Sequence, residues 1–223
     1  MSIAENISSI RETTSSYDCT LVAVSKTKPN EMVLEAYEAG QRIFGENKVQ
    51  DLCDKQSELP DDIEWHMIGH LQTNKVKFLT PFISLIHGVD SVKLLKEINK
   101  QAQKYGREIE CLLQVHIAQE DTKFGFDEAE VQTLLSSEEF LAYKNVKVMG
   151  LMGMASNTDD EAQVRKEFGS LKVLFDDLKT KESKNAKMQI LSMGMSGDYK
   201  IALEEGSTMI RVGSSIFGSR NYE

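Results

Sequence analysis

The sequence predicts an α/β protein folded as a single (β/α)8 barrel, a TIM barrel, with one extra helix before the first strand. Three observations carry that expectation. Eight short strand-like segments recur along the 223 residues, segments with helical spacing lie between them, and the alternation continues to the end. Strands alternating with helices pair in parallel through right-handed crossovers, and eight such units close into a barrel. An open, doubly wound sheet is the alternative that the same alternation allows. A hydrophobic content of 40% suffices for one sizeable core, and no linker, repeat or low-complexity tract interrupts it, so residues 1–223 are expected to form one domain.

The elements follow in order. Ile3–Arg11 is amphipathic and reads as the extra helix. Thr20–Lys26 is the first strand: Leu21-Val22-Ala23-Val24 is a buried run, and Pro29 stops it from continuing. Arg42–Glu46, Glu64–Gly69 and Leu85–Asp90 are the next three strands. Val92, Leu95, Ile98 and Ala102 mark one helical face before the fifth strand, Ile109–Ile117, and the sixth is Val146–Met154. Val164, Phe168, Leu171, Phe175 and Leu178 form the clearest helical stripe. Asp159-Asp160-Glu161 precede it and suit the first turn of a helix better than a metal site, since no histidine accompanies them. Lys179–Lys187 reads as a surface loop, Gln189–Met195 as strand seven and Met209–Phe217 as strand eight.

Composition excludes several classes. Net charge is −9, with 35 acidic against 26 basic residues, and no basic tail or helix face is present. A nucleic-acid or anionic-membrane partner is therefore not expected. Cys19, Cys53 and Cys111 are too widely spaced for a metal motif or a disulfide framework, which suits reduced thiols and a cytoplasmic location. The N-terminus has no apolar run of signal-peptide length, and no stretch approaches the ~20 apolar residues of a membrane span.

The chemistry concentrates at the C-terminal ends of the strands, where a barrel carries its site. Lys26 ends the first strand in a place expected to be partly desolvated, which disfavours the ammonium form and frees the amine to attack an aldehyde. The loops after strands seven and eight commonly bind phosphate in such barrels. Here Ser192, Gly194, Ser196 and Gly197 lie at the end of strand seven and just beyond it, and Gly213, Ser214 and Ser215 fall late in strand eight. Glycine admits backbone N–H groups and serine adds hydroxyl donors, although Gly/Ser loops are also ordinary turns. A lysine able to form a Schiff base, facing a phosphate cradle, suggests pyridoxal 5′-phosphate. Arg211, between Ile210 and Val212, must find a partner or point into the mouth. Always protonated, it would leave a pyridine nitrogen facing it unprotonated and the ring a weaker electron sink.

Other residues have two readings. Asn47 suits either a ring oxygen or the cap of a helix starting at Lys48. His66 fits a satisfied core residue better than a base, while His70 fits the mouth or a helix entry. His87 and His116 receive no role. Met149, Met152, Met154, Met193 and Met195 read as core filler. Lys28, Lys48 and Lys75 read as solvated, and Lys123-Phe124-Gly125-Phe126 as either lining or packing.

Six segments in order resemble the pyridoxal phosphate homeostasis proteins: Val22-Ala23-Val24-Ser25-Lys26, Phe44-Gly45-Glu46-Asn47, Trp65-His66-Met67-Ile68-Gly69, Leu71-Gln72-Thr73-Asn74-Lys75, Leu191-Ser192-Met193-Gly194-Met195-Ser196, and Arg211-Val212-Gly213 through Phe217-Gly218. The resemblance spans about residue 20 to residue 220. It implies a barrel like the N-terminal domain of alanine racemase, a Schiff base on Lys26, phosphate contacts around Ser192, Gly194, Gly213 and Ser214, and Arg211 beside the pyridine nitrogen. It further implies intracellular cofactor handling without established turnover, with pyridoxal phosphate-dependent enzymes as transient recipients. Ala155-Ser156-Asn157-Thr158 lacks the proline of many relatives, and Thr73 stands where serine is common.

The competing reading is a racemase-type enzyme with the same cofactor. Its relatives take a second, tyrosine base from another subunit's β-domain. The chain ends at Glu223, directly after Phe217-Gly218-Ser219-Arg220-Asn221-Tyr222, so that domain is expected to be absent, and a monomer is expected with it. A ring face open to water also favours hydrolysis and release over carbanion chemistry. A phosphate-sugar barrel enzyme would leave Lys26 unexplained.

Overall fold

In the computed structural model, which describes residues 2–119 and 124–218, alternation along each strand sorts side chains into two cores. Eight parallel strands close in chain order: β1 Thr20–Val24, β2 Ile43–Glu46, β3 Glu64–Met67, β4 Leu85–Val89, β5 Ile109–Gln114, β6 Val146–Met152, β7 Ala186–Ser192 and β8 Met209–Val212. On β1, Val22 joins Leu85, Leu112, Met149, Met152 and Met209 inside the barrel. Its neighbours Leu21 and Ala23 instead belong to the outer core beneath the helices. β1 closes the barrel onto β8 with Val22 beside Arg211. The closed barrel is the architecture expected, and the open sheet is excluded.

The helices are α1 Ile3–Thr14, α2 Asn30–Glu38, α3 Val49–Glu58, α4 Val76–Leu79, α5 Val92–Lys104, α6 Glu128–Ser136, α7 Glu138–Leu141, α8 Glu161–Lys179, α9 Tyr199–Glu204 and α10 Ser214–Phe217. A 3-10 turn, Thr73–Lys75, leads into α4. Helix α1 begins with a capping box, Ser2 Oγ accepting from Glu5 N–H while the Glu5 carboxylate accepts from Ser2 N–H. It buries Ile3, Ile7 and Ile10 and packs on α2 and α10, and Asn6 Nδ2 donates to Ile216 O at 2.8 Å. Because α10 has only four residues, α1 supplies much of the cover on the β8–β1 side.

The boundaries differ in one systematic way. Several strands end earlier than their apolar runs, since the last residues turn out as the loops that build the mouth. Ser25 and Lys26 follow β1, Gly69 follows β3, and Met193 to Met195 follow β7. Strand eight is corrected most: it stops at Val212, Gly213 breaks it, and Ile216 and Phe217 bury themselves on α10. Strand seven begins at Ala186, inside the stretch read as a surface loop, because Ala186 and Met188 are buried in the outer core. Lys123, and Ser219 to Tyr222 at the chain end, lie outside the described residues.

Candidate functional site

Lys26 is presented by a tight turn. Ser25 O accepts from Lys28 N–H at 3.0 Å, and Thr27 at the third position has φ 64°, where such turns ordinarily take glycine. A β-branched residue held there is strained, so the surroundings must over-determine the turn. They do so through Ser25. Its N–H donates to Gly45 O at 3.0 Å, its hydroxyl donates to Glu46 Oε1 at 2.8 Å, and its carbonyl accepts from Lys55 Nζ at 2.8 Å. Lys55 also pairs with Glu46 Oε1 at 2.5 Å, and both side chains are buried. A buried ion pair supported by further hydrogen bonds therefore braces the Lys26 turn from outside the barrel.

Half-buried Lys26 opens into a cavity of about 640 Å³ at the mouth. That size falls within the ~300–1,000 Å³ of small-molecule sites. Asn47, Arg211, Gly213 and Ser214 line it with Lys26, so five of the seven expected residues converge. Asn47 does not cap a helix: the cap position of α3 is Lys48, which makes no side-chain cap bond. Instead Asn47 Oδ1 is buried with no hydrogen-bond partner among the described residues. The chain can pass there because residue 69 is glycine, whose Cβ, if present, would lie 2.5 Å from Asn47 O.

On the opposite wall, Ser196 Oγ accepts from Gly213 N–H at 3.2 Å and from Ser215 N–H at 3.4 Å, joining the loops after β7 and β8. Ser196 and Gly197 line the cavity with Gly213 and Ser214. A Cβ at Gly213 would sit 3.1 Å from Val24 O, so glycine lets the end of β8 lie against β1.

Arg211 forms the floor. It is only 4% exposed. Nη1 donates to Ser192 O at 2.9 Å and Ser192 Oγ at 2.6 Å, and Nη2 donates to Gly153 O at 3.0 Å. Burial lowers its pKa to about 10, which leaves it protonated at neutral pH.

Ser192 and Gly194 do not line the cavity. Ser192 is fully buried, its hydroxyl held by Arg211 and, at 3.1 Å, by His87 Nδ1. Gly194 is a joint behind the loop: its φ is 96°, a Cβ there would be 2.6 Å from Ala202 Cβ, and its carbonyl accepts from Arg211 N–H at 3.0 Å. His66 is a core residue as expected, 3.0 Å through Nδ1 from His87 Nε2. Burial pushes the His66 pKa down to about 3. His87 is lowered well below its ordinary value by burial, then by His66 and Arg211.

His70 belongs to the mouth rather than to a helix entry, with Nδ1 2.9 Å from Asp90 Oδ2 and its ring near Phe124. Met154 and Met195 correct the filler reading, since at 42% and 39% exposure they form an apolar rim, whereas Met149, Met152 and Met193 are core. Lys28, read as solvated, donates to Phe217 O and Gly218 O, each at 3.1 Å. Gly69, Asp90, Gln114 and Asn157 also line the cavity. Gln114 was findable as an inward position at the end of strand five. Asn157 was not, because loop direction carries no period. Asp160 caps α8, with Oδ1 accepting from Ala162 and Gln163 N–H, and no metal-binding group occurs among the described residues. Nor, among them, is any helix long and apolar enough to cross a membrane.

The family described as "Alanine racemase, N-terminal domain" matches residues 1–221. The pyridoxal phosphate homeostasis protein of Aquifex aeolicus is 41% identical over 203 residues, covering 91% of this chain and 87% of that protein. The chain belongs to this family. The human pyridoxal phosphate homeostasis protein is likewise 41% identical, over 91% of this chain and 77% of its own length. Among solved structures, PipY of Synechococcus elongatus with PLP bound is 35% identical at a TM-score of 0.87, covering 97% of this chain and 100% of that one. Alanine racemase of Bartonella henselae, at 14% identity, TM-score 0.75, and 97% and 58% coverage, shares the fold.

Proposed function

We propose that this chain binds pyridoxal 5′-phosphate at the barrel mouth, holds it covalently through Lys26, and serves intracellular handling of the cofactor rather than turnover. The observation that carries this reading is the convergence of Lys26, the Ser196–Gly197 and Gly213–Ser214 loops and a buried arginine on one cavity. The unpartnered Asn47 Oδ1 fits the group, since it offers an acceptor to a ring hydroxyl. Bound, the group supplies an aldehyde for a primary amine and a ring that draws electrons when its nitrogen is protonated. Lys26 Nζ provides the amine. Ser196, Gly197, Gly213 and Ser214, which line the cavity, would hold the phosphate. Arg211, a cation at neutral pH lining the same cavity, would face the ring nitrogen and oppose its protonation, which would disfavour carbanion chemistry.

The names of the relatives and the PLP in PipY support the cofactor. On this reading residues 1–223 act as one cytoplasmic, monomeric domain, with pyridoxal phosphate-dependent enzymes as transient recipients. The test is Lys26→Ala. The visible absorbance band and the mass added on borohydride reduction should both disappear, and retention of both would place the covalent bond on another residue.

A further inference from the structure

We infer that Ser192, His87 and His66 are positioning residues, forming a one-way hydrogen-bond chain through the barrel that fixes the Arg211 guanidinium beneath the cavity, and that Ser192 is not a phosphate ligand. The inference deepens the reading above and rests on it for its binding arm.

The direction of the chain follows from counting protons. A guanidinium has donors only, so at 2.6 Å Ser192 Oγ accepts from Arg211 Nη1. Among the described residues the one remaining partner of that hydroxyl is His87 Nδ1 at 3.1 Å. If Nδ1 carried a proton, the serine would accept twice and its own proton would be left without an acceptor in a fully buried place. Ser192 therefore donates to a bare Nδ1. A neutral His87 then carries its proton on Nε2 and donates it to His66 Nδ1 at 3.0 Å, which places the His66 proton on Nε2. Both rings are kept neutral, His66 by burial and His87 by burial reinforced by His66 and Arg211.

Every donor thus points the same way, from Arg211 to Ser192 to His87 to His66, and aligned bonds strengthen one another in a low-dielectric interior. Gly153 O takes the second terminal nitrogen of Arg211 from β6's end, so the guanidinium is held from two sides. β3, β4, β7 and β8 each contribute one residue to this chain, which ties the cation's position to the barrel itself.

The test titrates native protein and Ser192→Ala with pyridoxal phosphate and with pyridoxal, which lacks the phosphate. Loss of a hydrogen bond to a charged group should weaken both by the same factor, about tenfold or more. The pH dependence of the bound absorbance band, which reports protonation of the Schiff-base nitrogen and through it the charge facing the ring, should also shift. Weakening confined to pyridoxal phosphate, with an unchanged band, would overturn the inference and restore Ser192 as a phosphate ligand. A second arm needs neither ligand nor variant. In ¹⁵N-histidine NMR spectra of the unaltered protein, His66 and His87 should each show protonated Nε2 and bare Nδ1, unchanged between about pH 6 and 9. A proton on His87 Nδ1, or titration of either ring in that range, would refute the chain even if the cofactor reading holds.

Discussion

Acidification from pH 7 to pH 5 should remove about 2 kcal/mol of stability through His66, and His87 adds to that loss in the same direction. In the folded state both rings stay neutral, His66 down to about pH 3, because burial opposes their charging. Unfolded, each takes up its proton near the ordinary histidine value of 6.5. The unfolded state thus binds more protons below that value, and stability falls as the pH falls. Between pH 7 and 5 His66 contributes about 2 kcal/mol, integrating 1.36 kcal/mol per pH unit over the roughly 1.5 units below 6.5, and His87 acts with the same sign. That is a large share of the ~5–15 kcal/mol of a typical domain. Other groups bear on the window less. Glu97, which the Gln101 amide holds below its usual range, titrates at lower pH, while burial raises Asp198, which acts in the opposite direction and offsets part of the loss. Arg211, facing His87, keeps its charge throughout. The assay is urea unfolding at pH 7, 6 and 5, followed by the fluorescence of Trp65, the single tryptophan, which is buried. The pH-dependent loss should shrink in His87→Asn. A midpoint unchanged from pH 7 to 5, or the same loss in the variant, would refute the reasoning.

Two further outcomes are expected. Gly213→Val should keep the circular dichroism of the barrel but weaken pyridoxal phosphate binding in an absorbance titration. Its Cβ, 3.1 Å from Val24 O and 3.2 Å from Val24 Cβ, forces the strand end to shift, and overpacking of ~1–3 kcal/mol corresponds to about 5- to 150-fold. Incubated with L- and D-amino acids in deuterated water, the cofactor-loaded protein should exchange α-protons no faster than free pyridoxal phosphate does. Exchange many orders faster by NMR, lost in Lys26→Ala, would make the chain a racemase-type enzyme.

The sequence made Lys26 legible because a strand end has a definite direction: an apolar run feeding a lysine delivers it to the mouth whatever the register. Gly213 and Ser214 were legible by residue type alone, since the strand read as running to Phe217 ends at Val212. Ser192 shows where that logic stops. With strand seven read as Gln189–Met195, Ser192 was grouped with the glycines and serines that follow it. Ending the strand at Ser192 instead leaves its side chain inside the barrel, one layer below the cavity, beside Arg211 and His87. No local pattern separates those two placements, because the deciding partners lie 19 and 105 residues away. His66 and His87 are similarly silent, joined only by the pairing that sets β3 beside β4. The consequence is a division of labour within the mouth. The floor is a cation braced by groups that do not titrate near neutrality, whereas the rim of His70, Met154 and Met195 is open to solvent. On the proposed function, a fixed floor would set how the ring is held and an open rim would let it leave, which is the combination a cofactor carrier requires.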